Sequence, residues 1–198
     1  MQFSNIIGII GIGFALKPKD EDHPYGHKKF ETLAGLGIAM MLFFFSINII
    51  KEAFSKFLHP TIPNVTVESI IALVITVIIN IFVSTYEYRK GKSLNSDILV
   101  ADSMHTRSDI FVSIGVLITL IGLRLGLPPI LDPIVSLIVA LIIIKAGYEI
   151  FKDTSSILVD KYVVDNNAIQ KLIMDFSEVK NIHRIRSRGR EDDMFLDL

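Results

Sequence analysis

Residues 32–50 read TLAGLGIAMMLFFFSINII, a run without a single charged side chain. Residues 69–86 read SIIALVITVIINIFVSTY and form a second run of the same kind. A helix of roughly 20 apolar residues crosses the hydrocarbon core of a bilayer, because each residue adds about 1.5 Å of length. Both runs therefore predict membrane-spanning helices, and they assign the chain to the polytopic membrane proteins.

The composition agrees with a membrane protein. Of the 198 residues, 51% are hydrophobic and 21% are charged, and the mean hydropathy is +0.51, a balance too apolar for an ordinary soluble domain. The formal net charge of -1 gives no basic excess that would favour a nucleic-acid partner. Because the chain has no cysteine, any bound metal must use histidine, carboxylate, amide or backbone oxygen ligands.

Hydrophobic runs divide the chain into two parts. We expect a transmembrane domain over residues 1–152, with spans at about residues 2–16, 31–56, 66–88, 95–125 and 132–153. The first run is too short to cross comfortably, and we expect it to be a truncated helix. No cleavage site follows it that would indicate a signal peptide.

The remaining residues, 153–198, have the composition of a soluble segment. Their pattern predicts a helix at residues 166–176, a strand at 179–188 and another strand near the C-terminus. One helix and two strands bury too little surface to stand alone. We therefore expect a partial C-terminal domain.

Basic residues of short loops predict the orientation, because lysine and arginine favour the cytoplasmic side. They concentrate after the first span, after the third span and in the C-terminal segment. Those after the first and third spans are Lys17, Lys19, Lys28, Lys29, Arg89, Lys90 and Lys92. We expect these loops and the C-terminal domain in the cytoplasm, in a protein of the cytoplasmic membrane.

The fourth span carries ionisable residues in its first half, where lipid-facing helices rarely have them. His105 and Asp109 are four residues apart, so an imidazole and a carboxylate project from one helix face. That pair is half of a tetrahedral site for an ion such as Zn²⁺. A buried hydrogen bond between them, or a polar vestibule, is the alternative. We favour a transport or binding role, because charges within a membrane cost several kcal/mol and mark ion pathways.

A second group of potential ligands lies in the first polar loop, where residues 20–27 read DEDHPYGH. Asp20, His23 and His27 could bind another metal ion or attract cations to the mouth of a pathway. Pro24 and Gly26 equally predict a simple turn between two elements. The spacing leaves both interpretations open.

Two motifs together resemble the cation diffusion facilitator family of divalent metal cation/proton antiporters. They are HPYGHKKFE at residues 23–31 and ADSMHTRSD at residues 101–109, each beside an apolar helix. The resemblance covers the whole chain, without the family's first helix and with about half of its cytoplasmic domain. It implies an all-α polytopic membrane helix bundle with five of six spans, followed by a truncated α+β ferredoxin-like cytoplasmic domain.

The resemblance also implies a transport site built from a four-spaced pair on each of two helices. One pair falls on His105 and Asp109, and the other falls on Met1 and Asn5. The family usually has Asp at the first of these latter positions and Asp or Asn at the second. Methionine is a poor ligand for such ions, whereas Asn5 offers a carbonyl oxygen. We expect the authentic protein to begin further upstream, with a different residue at the Met1 position.

Three further assignments follow from the resemblance. Asp20, His23 and His27 would form a loop metal site. Lys29 and Asp160 would link the loop to the segment below the last helix, although two solvated charges would explain them as well. His183 matches a position that binds metal in some members, but we favour a structural histidine on a strand.

Arginines alternate between residues 184 and 190, as Arg184, Arg186, Arg188 and Arg190. Alternation of this kind would suit an RNA-binding edge. Glu191, Asp192 and Asp193 follow immediately and offset much of the positive charge. We therefore predict a solvated sheet face.

The resemblance implies a secondary transporter, not an enzyme, that exports a divalent metal in exchange for protons and works as a homodimer without a cofactor. Zn²⁺ is the preferred cargo, and Fe²⁺, Mn²⁺, Co²⁺ and Cd²⁺ are not separated from it. A metal-sensing or scaffold membrane protein that binds metal without moving it is the alternative. An intramembrane metallohydrolase is disfavoured, because no HExxH motif accompanies the His105–Asp109 pair.

Overall fold

A computed structural model describes residues 2–59, 66–176, 179, 181–190 and 193–197. Met1, Glu191 and Asp192 lie outside the described residues. In chain order the elements are α1 (Gln2–Ala15), α2 (Lys29–Leu58), α3 (Val67–Leu94), α4 (Asp97–Arg124), α5 (Leu131–Leu158), α6 (Asn166–Met174), β1 (Arg186–Arg190) and β2 (Asp193–Asp197).

Four helices, α2 to α5, are long and apolar enough to cross a bilayer. Helix α1 is apolar but shorter, with 14 residues. Large apolar side chains such as Phe44 and Phe82 remain exposed on the outer faces of the bundle, as expected where lipid is the solvent. The prediction of a multi-pass, mostly helical membrane protein is confirmed.

Local capping explains the tight connection between α3 and α4. Asn95 ends α3 in the left-handed conformation, with φ of 49°, which asparagine tolerates better than most residues. Ser96 then caps α4, and its hydroxyl accepts a hydrogen bond from the Leu99 N–H at 3.4 Å. Two residues therefore reverse the chain and set α3 antiparallel to α4.

The four long helices pack mainly as two pairs, α2 with α5 and α3 with α4, and α4 joins the pairs by contacting α2 and α5. Ile38 and Leu42 of α2, Ala101 of α4 and Ile143 of α5 are fully buried between them. Helix α1 lies against α2 and α4. The interior thus lies where α4 meets the α2–α5 pair.

The C-terminal segment forms α6 and then an antiparallel hairpin, in which Arg186 pairs with Asp197 and Arg190 pairs with Asp193. The predicted order of helix, strand and strand is observed. The predicted start of the first strand at residue 179 is wrong, since residues 181–185 are not strand. Arg184 has φ of 61°, which interrupts an extended chain. The ferredoxin-like architecture stays a prediction.

Candidate metal sites and their surroundings

His105 is buried within α4, with 8% of its surface exposed. In the described part of the chain, neither of its ring nitrogens has a hydrogen-bond partner. Asp109 lies one turn further along and is partly buried. A buried polar group without a partner costs about 1–3 kcal/mol. No hydrogen bond joins His105 to Asp109, which contradicts the alternative interpretation of a buried His–Asp pair, and no described side chain or backbone group occupies the ring nitrogens.

The second half of the implied site is less complete. Asn5 is exposed on α1. Helix α1 approaches α4 through glycines, because a Cβ on Gly8 would lie 3.3 Å from Ile98 Cγ2. His105 is not part of any group of three clustered His, Asp or Glu ligands among the residues described. The structure therefore positions His105 and Asp109 on α4, and the contribution of Asn5 stays a prediction.

The loop residues Asp20, His23 and His27 come together, with one potential ligand atom from each lying within 4.8 Å of the others. His23 Nδ1 lies 3.0 Å from Asp20 Oδ1, and His27 Nε2 lies 3.3 Å from Asp20 Oδ2. His27 is buried, whereas Asp20 and His23 are exposed. One carboxylate and two imidazoles can hold a divalent ion such as Zn²⁺ from the aqueous side.

Electrostatics keep Asp20 in the form that binds metal. Desolvation raises the pKa of its carboxyl. Hydrogen bonds from the ring and the backbone N–H of His23, together with the charges of His23 and His27, outweigh that effect and lower the pKa below its ordinary value. The carboxylate therefore remains ionised at neutral pH.

A turn produces this clustering. The Gly26 N–H donates a hydrogen bond to the His23 carbonyl at 2.9 Å, and Gly26 has φ of 92°. Pro24 occupies the second position, where its fixed φ suits a turn. The His23 and His27 ring centroids are 4.3 Å apart as a result. The turn interpretation and the metal interpretation are thus compatible, because the turn brings the ligands together.

The remaining predicted residues separate into one close pair and one isolated side chain. Lys29 Nζ and Asp160 Oδ1 are 2.8 Å apart. His183 is exposed and precedes β1, so the prediction of a histidine on a strand is wrong. An irregular segment holds it, because Arg184 in the left-handed region prevents the strand from extending back.

The arginine run was also interpreted incorrectly at one position. Arg190 is 8% exposed. Its Nη1 lies 3.2 Å from Glu31 Oε2 and 3.3 Å from Asp97 Oδ2. A solvated sheet face is therefore wrong for Arg190, because β1 packs against the helix ends. Arg188 lies over the Tyr25 ring, at 4.7 Å from its centroid.

Sequence reasoning missed an ionisable residue on α3. Glu87 Oε2 accepts a hydrogen bond from the Thr106 hydroxyl at 3.3 Å. Thr106 directly follows His105 in the sequence. Arg107 of the same motif places its guanidinium 4.6 Å from the Tyr88 ring centroid. A glutamate within a hydrophobic span was the signal that could have identified Glu87.

A cavity of about 560 Å³ lies where the ends of α3, α4 and α5 meet β1. Tyr88, Ala101 and Met104 line its α3–α4 side, and Asp153 and Arg190 line other walls. Met104 directly precedes His105. The cavity therefore extends from the polar helix ends to Met104 on α4, and His105 itself does not line it.

Comparisons with known proteins agree with the motifs. Residues 2–159 match the cation efflux transmembrane domain family. The manganese efflux system protein MneP of Bacillus subtilis is 32% identical, over 94% of this chain and 65% of its own length. An uncharacterized transporter of Methanocaldococcus jannaschii is 36% identical, over 63% of this chain and 44% of its own length. Metal tolerance protein C1 of Arabidopsis thaliana is 31% identical, over 97% of this chain and 44% of its own length.

The chain thus spans between 44% and 65% of the length of these three relatives. The match to the family's transmembrane domain covers α1 to α5 in full. It includes both motifs, at residues 23–31 and 101–109, from which the resemblance was inferred. The chain therefore belongs to the cation efflux family, the cation diffusion facilitators.

Proposed function

We propose that this chain moves a divalent transition-metal ion out of the cytoplasm in exchange for protons, with His105 and Asp109 as metal ligands. The observation that carries the proposal is the buried His105 ring, whose nitrogens have no hydrogen-bond partner among the described residues. It lies within a membrane-spanning helix, one turn from Asp109. Ionisable residues in that setting are commonly part of an ion pathway.

The same two side chains can couple metal to protons. A metal binds the neutral imidazole and the ionised carboxylate, so each ligand must lose its proton first. Protonation from the outer side releases the metal, and deprotonation on the cytoplasmic side restores affinity. Asn5 would add a carbonyl oxygen from α1. One site then serves both ions in alternation as the helix pairs move.

Zn²⁺ and Mn²⁺ are the two best-supported candidates for the cargo among the divalent transition metals. Zn²⁺ suits a site with an imidazole and a carboxylate. Mn²⁺ is supported by the relative MneP, which is named as a manganese efflux system protein, and by the oxygen ligands that Asp109 and Asn5 would provide. Transport of each ion, measured alone and in competition, identifies the preferred one.

The proposal includes the orientation of the chain in the membrane and its oligomeric state. We place the Asp20, His23 and His27 site in the cytoplasm, with the C-terminal segment beside it, and the Lys29–Asp160 pair as the link between them. We further propose a homodimer that forms through the C-terminal domain. We assign no metal to His183, because its side chain is exposed and belongs to none of the ligand groups in the described residues.

A sensor that binds metal without moving it is the second candidate. The observation in its favour is that the loop residues, not those of α4, form the three-ligand group in the described part of the chain. A sensor would bind Zn²⁺ or Mn²⁺ and show no flux across the membrane.

Flux in proteoliposomes separates the two functions. The protein is reconstituted, and uptake of Zn²⁺ or Mn²⁺ is followed together with the pH of the lumen. We expect flux with opposite proton movement, its loss in His105→Ala and Asp109→Ala, and normal flux in the control variants His59→Ala and Asp175→Ala, both of exposed residues. Metal binding without flux in the unmodified protein would contradict transport and support the sensor.

A further inference from the structure

The beginnings of α2 and α4 are joined by reciprocal hydrogen bonds. The Thr32 hydroxyl on α2 donates to Asp97 Oδ2 on α4 at 2.8 Å. In the opposite direction, the Ser96 hydroxyl at the start of α4 donates to Glu31 Oε1 on α2. Each helix therefore contributes one carboxylate and one hydroxyl to the same contact.

Arg190 completes this contact from the C-terminal hairpin. Its Nη1 lies 3.2 Å from Glu31 Oε2 and 3.3 Å from Asp97 Oδ2. The guanidinium is 8% exposed, and the two carboxylates are 16% and 21% exposed. Charge-assisted bonds of this kind are strong when water is largely excluded, and removal of one buried partner leaves the others uncompensated.

Arg190 contacts residues of both helix pairs. Glu31 belongs to the α2–α5 pair and Asp97 belongs to the α3–α4 pair, so the guanidinium bridges the two pairs. Arg190, Ser96 and Asp97 also line the cavity that extends to Met104. Separation of the helix pairs at this end therefore requires the arginine to leave at least one carboxylate.

The hairpin that carries Arg190 has its own attachment to the first loop. Phe195 packs edge-on against Tyr25, with ring centroids 5.0 Å apart, and Arg188 covers the same ring. Lys28 Nζ lies 3.8 Å from Asp193 Oδ2. Removal of the Arg190 side chain would therefore leave these other contacts of the hairpin in place.

We propose that Arg190 is a cytoplasmic latch, which holds the α2–α5 and α3–α4 pairs together at the cavity by binding Glu31 and Asp97 at once. The latch ties access to the cavity to the position of the C-terminal hairpin. Its role in controlling ion entry rests on the proposed function, whereas its effect on the opening of the cavity does not.

Cysteine labelling measures that opening without any transport. The chain has no native cysteine, so one introduced thiol reports a single position. Ala101→Cys places the thiol on a cavity-lining residue that is 0% exposed. A charged, water-soluble thiol reagent then reacts at a rate set by how often the cavity opens.

We expect Arg190→Gln to accelerate labelling of the thiol at position 101 by on the order of tenfold. Arg190→Lys keeps the charge and should stay within about threefold of the parent, because an ammonium still reaches the carboxylates but loses the planar guanidinium geometry. Arg186→Gln is the matched control, at an exposed residue of the same strand, and should leave the rate unchanged. Glu31→Gln removes the contact from the α2 side and should reproduce the effect of Arg190→Gln, which guards against a folding defect in either variant.

A second cysteine position distinguishes opening of the cavity from a loosening of the whole helix bundle. Ala39→Cys serves this purpose, because Ala39 is 0% exposed in the core and does not line the cavity. A latch predicts no acceleration at position 39. Equal acceleration at both positions, or an unchanged rate at position 101 in both Arg190→Gln and Glu31→Gln, would overturn the latch. Absence of metal flux with selective opening at position 101 would overturn the proposed function and leave the latch intact.

Discussion

Asp160 Oδ1 accepts a hydrogen bond from Lys29 Nζ at 2.8 Å, which connects the turn after α5 to the beginning of α2. The two residues are separated by 131 positions in the sequence. Both side chains are exposed, at 51% and 42%, and Asp160 has φ of 54°. The pair thus depends on an unusual backbone conformation at a surface position, where water screens the attraction.

The Lys29–Asp160 pair should contribute little to stability. Lys29→Ala should change the free energy of unfolding in detergent by less than about 1 kcal/mol, because exposed ion pairs rarely contribute more. Asp160→Gly should be similarly mild, since glycine adopts the left-handed conformation without a steric penalty. Denaturation monitored by circular dichroism measures both variants. A loss above about 2 kcal/mol in Lys29→Ala would show that the pair is not an ordinary surface ion pair.

The packing of α1 should not accommodate an added side chain at Gly11, whereas it should accommodate one at Gly13. A Cβ on Gly11 would overlap Ala34 Cβ and lie 2.9 Å from Ile98 Cδ1, whereas a Cβ on Gly13 meets nothing within 4 Å. Gly11→Ala should therefore destabilise the protein by about 1–3 kcal/mol. Gly13→Ala is the matched control and should be neutral or stabilising, because alanine favours helix. Thermal unfolding midpoints in detergent compare the two, and equal midpoints would contradict this packing.

The lowered pKa of Asp20 should make its stabilising contacts persist into acid. A carboxyl with a lowered pKa in the folded state contributes stability in full above its unfolded value, and that contribution disappears as the pH falls through the folded value. The ordinary value is 3.8. The difference in unfolding midpoint between the protein and Asp20→Asn should therefore still be present at about pH 5, above the ordinary value of the carboxyl. It should disappear only below the ordinary value, and its loss well above pH 3.8 would contradict the hydrogen bonds from His23.

The loop cluster should bind Zn²⁺ independently of α4. Calorimetry is performed in an Asp109→Ala background, so that the proposed transport site does not contribute. His27→Ala should weaken the remaining binding by at least about tenfold, since the loss of a direct ligand should exceed that of an outer-shell partner. His59→Ala and His183→Ala should leave it unchanged, because both histidines are exposed and outside the cluster. Equal weakening by His59→Ala would show that the measured site is elsewhere.

Sequence reasoning is most direct where the relevant residues are close together in the chain. A spacing of four places His105 and Asp109 on one face of α4, because one helix turn is enough to relate them, and their role as metal ligands stays a prediction. Arg190 was misjudged for the opposite reason. Alternation along a strand indicates which side chains share a face, but it does not reveal what that face contacts. Glu31 lies 159 positions away from Arg190, and only the packing of β1 against the helix ends brings the two together.

By itself, the sequence determined the membrane class, four long apolar helices and the common face of His105 and Asp109, because bilayer thickness and the helical repeat act on neighbouring residues. It also supplied both family motifs. Only the tertiary structure decided that His105 is buried without a hydrogen-bond partner in the described residues. It also decided that Asp20, His23 and His27 meet and that Arg190 bridges two helix pairs. Such contacts depend on how helices and turns pack in three dimensions, and that packing is a property of the whole chain, not of any local stretch.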